Sequence, residues 1–297
     1  MRNEIIKLIE NKFKKKNNEY FLTADLGFSV LEDLKKKIKD RFINVGVAEN
    51  NMFLISVGLN SITKSAVYVY SISSFLILRS VEIIRNYVSN DKRNIKIIGV
   101  GSGVSYDKMG KTHFNLDDIN IVYSLKNILI LNPANKEELN FVFKKFYKSK
   151  QPIYYRINKF NFLNSYNLKK IGNIYYKPGT HVNLITSGAI LNHILSFFSQ
   201  QEIKKFNIIS LPILDQKYLN FNIKKYLLKK NTFMAIDSKK TLFFEEIKST
   251  ILKYYPKLKI TNFDLDHNKI KKVGDYKKIL NDVGLDKKKL SKYLISK

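Results

Sequence analysis

Short apolar runs of strand length recur along this chain, each followed by a segment of helical periodicity. That alternation constrains the fold more than any other feature. The runs are "YFLTA" (20–24), "FINVG" (42–46), "AVYVYS" (66–71), "NIKIIGV" (94–100), "NILILN" (127–132) and "PIYYRI" (152–157). Helical patterns lie between them near 31–39, 49–61, 75–89 and 135–149. Strands that are apolar on both faces, rather than alternating, belong in a parallel sheet covered on both sides, and βα alternation supplies the covering helices. The stretch 158–181 breaks the rhythm with polar residues, Gly172, Pro178 and Gly179. A second series then follows: "VNLIT" (182–186), a helix at 189–203, "FNIISL" (206–211), a helix near 216–229, "TFMAID" (232–237), a helix near 242–253 and "LKITNF" (258–263). The chain closes on two short helices split at Gly284. The expected fold is α/β, with two doubly wound domains at 1–165 and 181–297 joined by a linker at 166–180.

Composition removes several classes of function. There is no Cys, which excludes disulfides, thiolate metal sites and cysteine nucleophiles. The four histidines, His113, His181, His193 and His267, are too scattered to suggest a metal cluster. The net charge of +28 is spread over the whole chain, and its three Lys runs, at 14–16, 35–37 and 287–289, carry no interleaved aromatic residues. Nucleic acid is therefore not an expected partner, although the excess charge would attract phosphorylated substrates. No apolar run approaches the ~20 residues that span a bilayer, and the start has no signal-peptide pattern. A soluble cytoplasmic protein without membrane contact is expected.

In an open α/β sheet, ligands bind beyond the carboxyl ends of the strands. Four consecutive exits carry unusual residues: Asp25, Glu49, the segment Ser71 to Phe75, and the glycine-punctuated loop Gly101 to His113. Each has an ordinary reading. Glu49 falls in the first turn of a helix, where an acid favours the dipole by ~0.3–1 kcal/mol; the functional reading is a sequestered carboxylate that hydrogen-bonds a basic ligand nitrogen and transfers a proton. Phe75 is either core or a flat face for an aromatic ring. Arg79, Glu82 and Arg85 are spaced for pairing along one helix face. Arg156 interrupts an apolar strand and requires an anion, either an internal carboxylate such as Asp25 or Asp107, or a substrate phosphate.

Taken together, "FLTADLGFS", "RFINVGVAENNM", "YSISSFLILRSVEIIR", "GVGSGVSYDKMGKTHFNLDDI", "LKNILILNPAN" and "PIYYRI" resemble, in order and spacing, the transketolase pyrimidine-binding domain. "VNLITSGAILNHIL" and "FNIISLPILD" resemble the transketolase C-terminal domain. The resemblance implies a thiamine diphosphate enzyme. Glu49 would contact the N1′ nitrogen of the cofactor aminopyrimidine and promote the tautomer that activates the thiazolium carbon. Phe75 would pack on the aminopyrimidine with Ile72 beside it, and Asp25 would lie near the thiazolium. Ser29 and His113 would meet the substrate, with His113 also catalytic, and Arg156 would bind the phosphate of a sugar phosphate.

Departures from the family pattern carry information too. Gly101 and Ser102 stand where a donor-binding histidine is usual, and Met109 stands where an acid often precedes the "G-x-T-H" motif. The Gly-Asp-Gly motif that holds Mg²⁺ and the cofactor diphosphate has no counterpart. The resemblance therefore implies the C-terminal subunit of a split transketolase, inactive alone and completed by a separate diphosphate-binding subunit in an α2β2 heterotetramer. That partner would hold both the diphosphate and Mg²⁺. The reaction implied is transfer of a two-carbon ketol unit between sugar phosphates. A 1-deoxyxylulose-5-phosphate synthase-like or other carboligase subunit, or a non-catalytic assembly subunit, are the alternatives.

Overall fold

The computed structural model describes residues 1–13, 18–160, 166–218, 223–271 and 273–295. The Lys run at 14–16 lies outside them. The first unit is built from α1 (Arg2–Lys12), β1 (Tyr20–Thr23), α2 (Glu32–Ile38), β2 (Phe42–Asn44), α3 (Glu49–Thr63), β3 (Val67–Ile72), α4 (Ser73–Leu78), α5 (Val81–Ile83), β4 (Ile95–Val100), α6 (Asp118–Ser124), β5 (Leu129–Leu131), α7 (Lys136–Phe146) and β6 (Ile153–Ile157). The second holds β7 (Lys169–Ile171), β8 (Ile174–Lys177), β9 (Val182–Ser187), α8 (Ile190–Leu195), α9 (Gln200–Lys205), β10 (Phe206–Ser210), β11 (Ile213–Leu214), β12 (Thr232–Ile236), α10 (Leu242–Tyr254), β13 (Ile260–Phe263), α11 (Tyr276–Asp282) and α12 (Lys287–Leu294).

The first sheet runs β11-β5-β6-β4-β3-β1-β2 and the second β13-β12-β9-β10-β8-β7. β1 to β6 are parallel throughout, and their central members β3, β4 and β6 are buried at every residue. The continuous apolar runs follow from that double covering. Leu22, Val67, Val69, Ile95 and Ile97 pack on one face with Met52 and Phe53 of α3. Phe21, Tyr68, Tyr70, Ile98 and Tyr155 pack on the other with Ile5 and Ile9 of α1 and Val142 and Phe143 of α7. The first of these clusters continues into Ile209, Met234 and Phe243 of the second unit.

The doubly wound α/β architecture is as the alternation implied, with local differences. Residues 166–180, expected as a linker, carry the β7–β8 hairpin, which pairs antiparallel with β10 and extends the second sheet. The single helix expected at 189–203 is two, because Ser199 and Glu202 form a capping box that starts α9 afresh. Of the helix expected near 216–229, residues 219–222 lie outside the described residues, and those on either side form two 3₁₀ turns, Gln216–Tyr218 and Ile223–Tyr226. The helix expected over 75–89 breaks between α4 and α5 and ends in a π-helical stretch, Ile84–Ser89. Among the described residues no helix is long and apolar enough to cross a membrane.

Candidate active site at the carboxyl edge of the first sheet

The exits of β1, β2, β3, β4 and β6 share one edge because these strands are parallel neighbours. At the exit of β2, Asn44 acts as a clasp. Its Oδ1 accepts from the backbone N–H of Asp25 at 2.9 Å and of Gly46 at 3.1 Å, and its Nδ2 donates to Asp25 Oδ1 at 3.1 Å. Asp25 is thereby fixed in a left-handed conformation, φ 52°, that a non-glycine residue adopts only with support. Gly46 turns the chain at φ 74°, and Glu49 begins α3 directly after it.

Glu49 is in the first turn, as a dipole-favoured acid would be, yet it is 2% exposed. A carboxylate that deep requires partners. Oε1 accepts from Ser71 Oγ at 3.3 Å, and Oε2 accepts from Arg79 Nη1 at 2.7 Å in an ion pair. The Arg79 guanidinium carbon lies 4.3 Å from the centre of the half-buried Phe75 ring. His113 meets the same ring edge-on, with centroids 4.9 Å apart, and Tyr106 stands 6.1 Å from His113. Thr112 Oγ1 is 3.0 Å from His113 Nδ1. Burial holds the imidazole below its usual pKa and so favours its neutral form. Glu49, Phe75 and His113 are thus gathered into one group, with Ile72 buried at the end of β3 beside it. Asp25 stands at the same edge, tied through Asn44 to the Gly46 turn that precedes α3. Ser29 is exposed in the loop before α2, and its N–H donates to Glu32 Oε1 at 2.6 Å.

The loop that delivers His113 is anchored from outside the first sheet. Asp107 accepts through its backbone oxygen from Gly274 N–H and through Oδ2 from Tyr276 N–H, each at 3.0 Å. Gly101 has φ 96°, and a Cβ there would meet the Tyr106 ring at 2.2 Å. The Tyr106 ring fills the space that any side chain at 101 would take.

Arg156 requires a correction. It is fully buried, its Nε donates to Asp118 Oδ2 at 2.7 Å, and its Nη1 donates to Asp237 Oδ1 at 2.6 Å. Nη2 donates to the carbonyls of Asn115 and Asp237, both at 3.0 Å. Burial pushes the Asp118 carboxyl up, while the adjoining guanidinium and the Tyr154 hydroxyl oppose it. Every nitrogen of Arg156 is occupied by protein, which leaves a substrate phosphate no place. The internal-carboxylate reading holds, with Asp118 and Asp237 as partners rather than Asp25 or Asp107. A cation that does stand exposed at this edge is Lys159, which follows β6 and lies with Nζ 5.3 Å from the Tyr106 ring centre.

Asn44, Ser71, Arg79, Tyr106 and Lys159 stand at the same edge; Ser71 and Tyr106 lie in the exit segments singled out in the sequence, while Asn44, Arg79 and Lys159 were not expected there. Arg79 does not pair with Glu82, whose carboxylate accepts from Asn86 instead.

Residues 3–163 match the family described as "Transketolase, pyrimidine binding domain". A protein of Methanocaldococcus jannaschii, provisionally assigned as the C-terminal section of a transketolase, is 34% identical over 145 residues, which are 48% of this chain and 46% of that protein. One of the subunits of the apulose-4-phosphate transketolase of Phocaeicola vulgatus is 30% identical over 139 residues, 46% of this chain and 44% of its own. The matches thus span less than half the length of these relatives. Among solved structures, a split-gene transketolase described as an inactive beta4 tetramer superposes with a TM-score of 0.78 at 19% identity, covering 99% of this chain and 96% of that one. The fold agrees over both units, and the matched segment contains Asp25, Glu49, Phe75 and His113 at the edge described above; the chain belongs to the transketolase pyrimidine-binding domain family.

Proposed function

We propose that this chain is the pyrimidine-side subunit of a two-chain, thiamine-diphosphate-dependent transketolase that moves a two-carbon ketol unit between sugar phosphates. The observation that carries the reading is the buried Glu49 carboxylate beside the Phe75 face. A buried carboxylate next to a half-buried aromatic ring is a donor set that fits an aminopyrimidine, offering an edge hydrogen bond and a stacking surface. Glu49 would share a proton with the ring nitrogen, Phe75 and Ile72 would hold the ring, and Asp25 would lie toward the thiazolium end. When bound, the cofactor supplies the carbanion-stabilising chemistry that no side chain offers. His113, kept neutral, would hydrogen-bond substrate hydroxyls and exchange protons with them. Lys159, rather than Arg156, would meet the substrate phosphate.

The diphosphate and Mg²⁺ would be held by a separate subunit, in an α2β2 assembly. Exposed apolar side chains support that partner: Phe28 (78% exposed), Val47 (72%), Leu78 and Met109 stand on or beside the segments that carry Asp25, Glu49, Phe75 and His113. Apolar exposure concentrated on site-bearing loops suits an interface that closes over the site. The chain alone should be inactive. The Phocaeicola relative, named for apulose 4-phosphate, favours a specialised ketose phosphate as readily as xylulose 5-phosphate.

The test mixes this chain with the diphosphate-domain subunit, Mg²⁺ and thiamine diphosphate, and follows aldose phosphate release from a panel of ketose phosphates. Activity only with both chains, lost by ~10²-fold or more in Glu49→Ala, supports the proposal. Pyruvate consumption with CO₂ release would move the assignment to a synthase-like carboligase. Cofactor binding without turnover on any substrate would leave an assembly subunit.

A further inference from the structure

Arg79 already holds both of the contacts that the proposed function gives to the cofactor ring. Its Nη1 donates to Glu49 Oε2 at 2.7 Å, and its guanidinium carbon lies 4.3 Å from the centre of Phe75. A guanidinium is flat, donates hydrogen bonds along its edge and stacks on aromatic faces, and these are the properties an aminopyrimidine presents through its amidine edge and its ring. The two members of the ion pair differ sharply in exposure. The Glu49 side chain is 2% exposed and the Arg79 side chain 48%. Arg79 can therefore return to water with little hydration to recover once another partner holds Glu49, whereas Glu49 cannot leave. The backbone would stay in place through such a swing, because the Arg79 N–H donates to Phe75 O at 3.1 Å and its carbonyl accepts from Asn50 Nδ2 at 3.2 Å.

We infer that Arg79 is a displaceable placeholder for the cofactor ring, pairing Glu49 and covering Phe75 until the ring takes over both contacts. The inference rests on the proposed function. It gives Arg79 a positioning role, keeping the buried carboxylate paired and correctly placed in a subunit that has not yet met its partner. It also requires two effects of opposite sign when Arg79 is removed. The isolated chain loses stability, because Glu49 is left buried without a counter-charge. The assembled enzyme gains cofactor affinity, because the ring no longer competes with a side chain for the same contacts.

The experiment measures both. Thermal melting is recorded for the isolated wild-type chain and for Arg79→Ala and Arg79→Gln. Calorimetric titration with thiamine diphosphate and Mg²⁺ is recorded for the corresponding two-subunit complexes. The expected result is a lower melting temperature for both variants and a Kd for thiamine diphosphate that is ~3–10-fold lower, larger for Ala than for Gln, which keeps a neutral donor near Glu49. Unchanged or weaker cofactor binding in the variants, alongside normal binding by wild type, overturns the placeholder and leaves the proposed function intact. Weaker binding would make Arg79 a cofactor contact, and unchanged binding a purely structural ion pair. Failure of the wild-type complex to bind thiamine diphosphate overturns both.

Discussion

A carboxylate removed from water costs several kcal/mol unless its partners replace the lost hydration. Glu49 has two such partners, Ser71 and Arg79, and only the hydroxyl is itself buried. The site is therefore closed on its strand side and replaceable on its solvent side. At the same edge, Lys159 predicts substrate preference. Lys159→Ala should raise the KM of the assembled enzyme for a ketose phosphate by ~10-fold, the worth of one charged hydrogen bond, with kcat nearly unchanged. An equal effect on an unphosphorylated ketose would show that Lys159 does not meet a phosphate. At this scale the sequence is legible wherever a residue lies in the segment that leaves the carboxyl end of a strand. Asp25, Glu49, Phe75 and His113 could be placed on one edge from topology alone. Arg156 could not, because its partners lie 38 residues before it and 81 after it, at Asp118 and Asp237, and no local pattern announces such pairs. Arg79 was misread for a different reason: helical spacing offered Glu82 as its partner, but α4 ends at Leu78 and the side chain turns to α3 instead.

Elements carry their own predictions. The loop from Gly101 to His113 is shaped by contact between Tyr106 and the space above Gly101. Gly101→Ala should disturb it twice, through a left-handed φ of 96° and through the 2.2 Å approach of Cβ to the ring. A loss of ~1–3 kcal/mol is expected on chemical denaturation, with a further fall in kcat/KM as Tyr106 and His113 shift. Wild-type kinetics in this variant would show that the loop does not depend on Tyr106 packing. The same contact explains in physical terms why a histidine has no place at 101 in this chain. Strands were the most legible elements, since β-branched runs between turn residues permit little else. The β7–β8 hairpin was missed although its signal is present: Gly172 and Asn173 form a two-residue connection between the paired Ile171 and Ile174, with Gly172 at φ 58°. The intervening Lys and Asn residues disguised it as a polar linker.

Across the whole molecule, the Arg156 network links the two sheets through their interiors. Asp118 belongs to α6 of the first unit and Asp237 follows β12 of the second, so one guanidinium ties both. Arg156→Met would strand two buried carboxylates. It should cost ~3–5 kcal/mol in urea denaturation, far more than a surface pair of the same length. A loss under ~1 kcal/mol would mean that the network contributes little to holding the units together. His113 depends on the second unit as well, since its loop is fastened at Asp107 to Gly274 and Tyr276. The β11 strand has a further consequence. Ile213 and Leu214 lie after the second unit has begun, yet they pair antiparallel with Leu131 and Ile130 and close the rim of the first sheet. A sheet rim left open recruits other strands. The units that look separable along the chain are therefore not interchangeable modules: severed between 166 and 180, the earlier one would lose its last strand and become sticky, and a graft onto another scaffold would have to bring residues 213–214 with it.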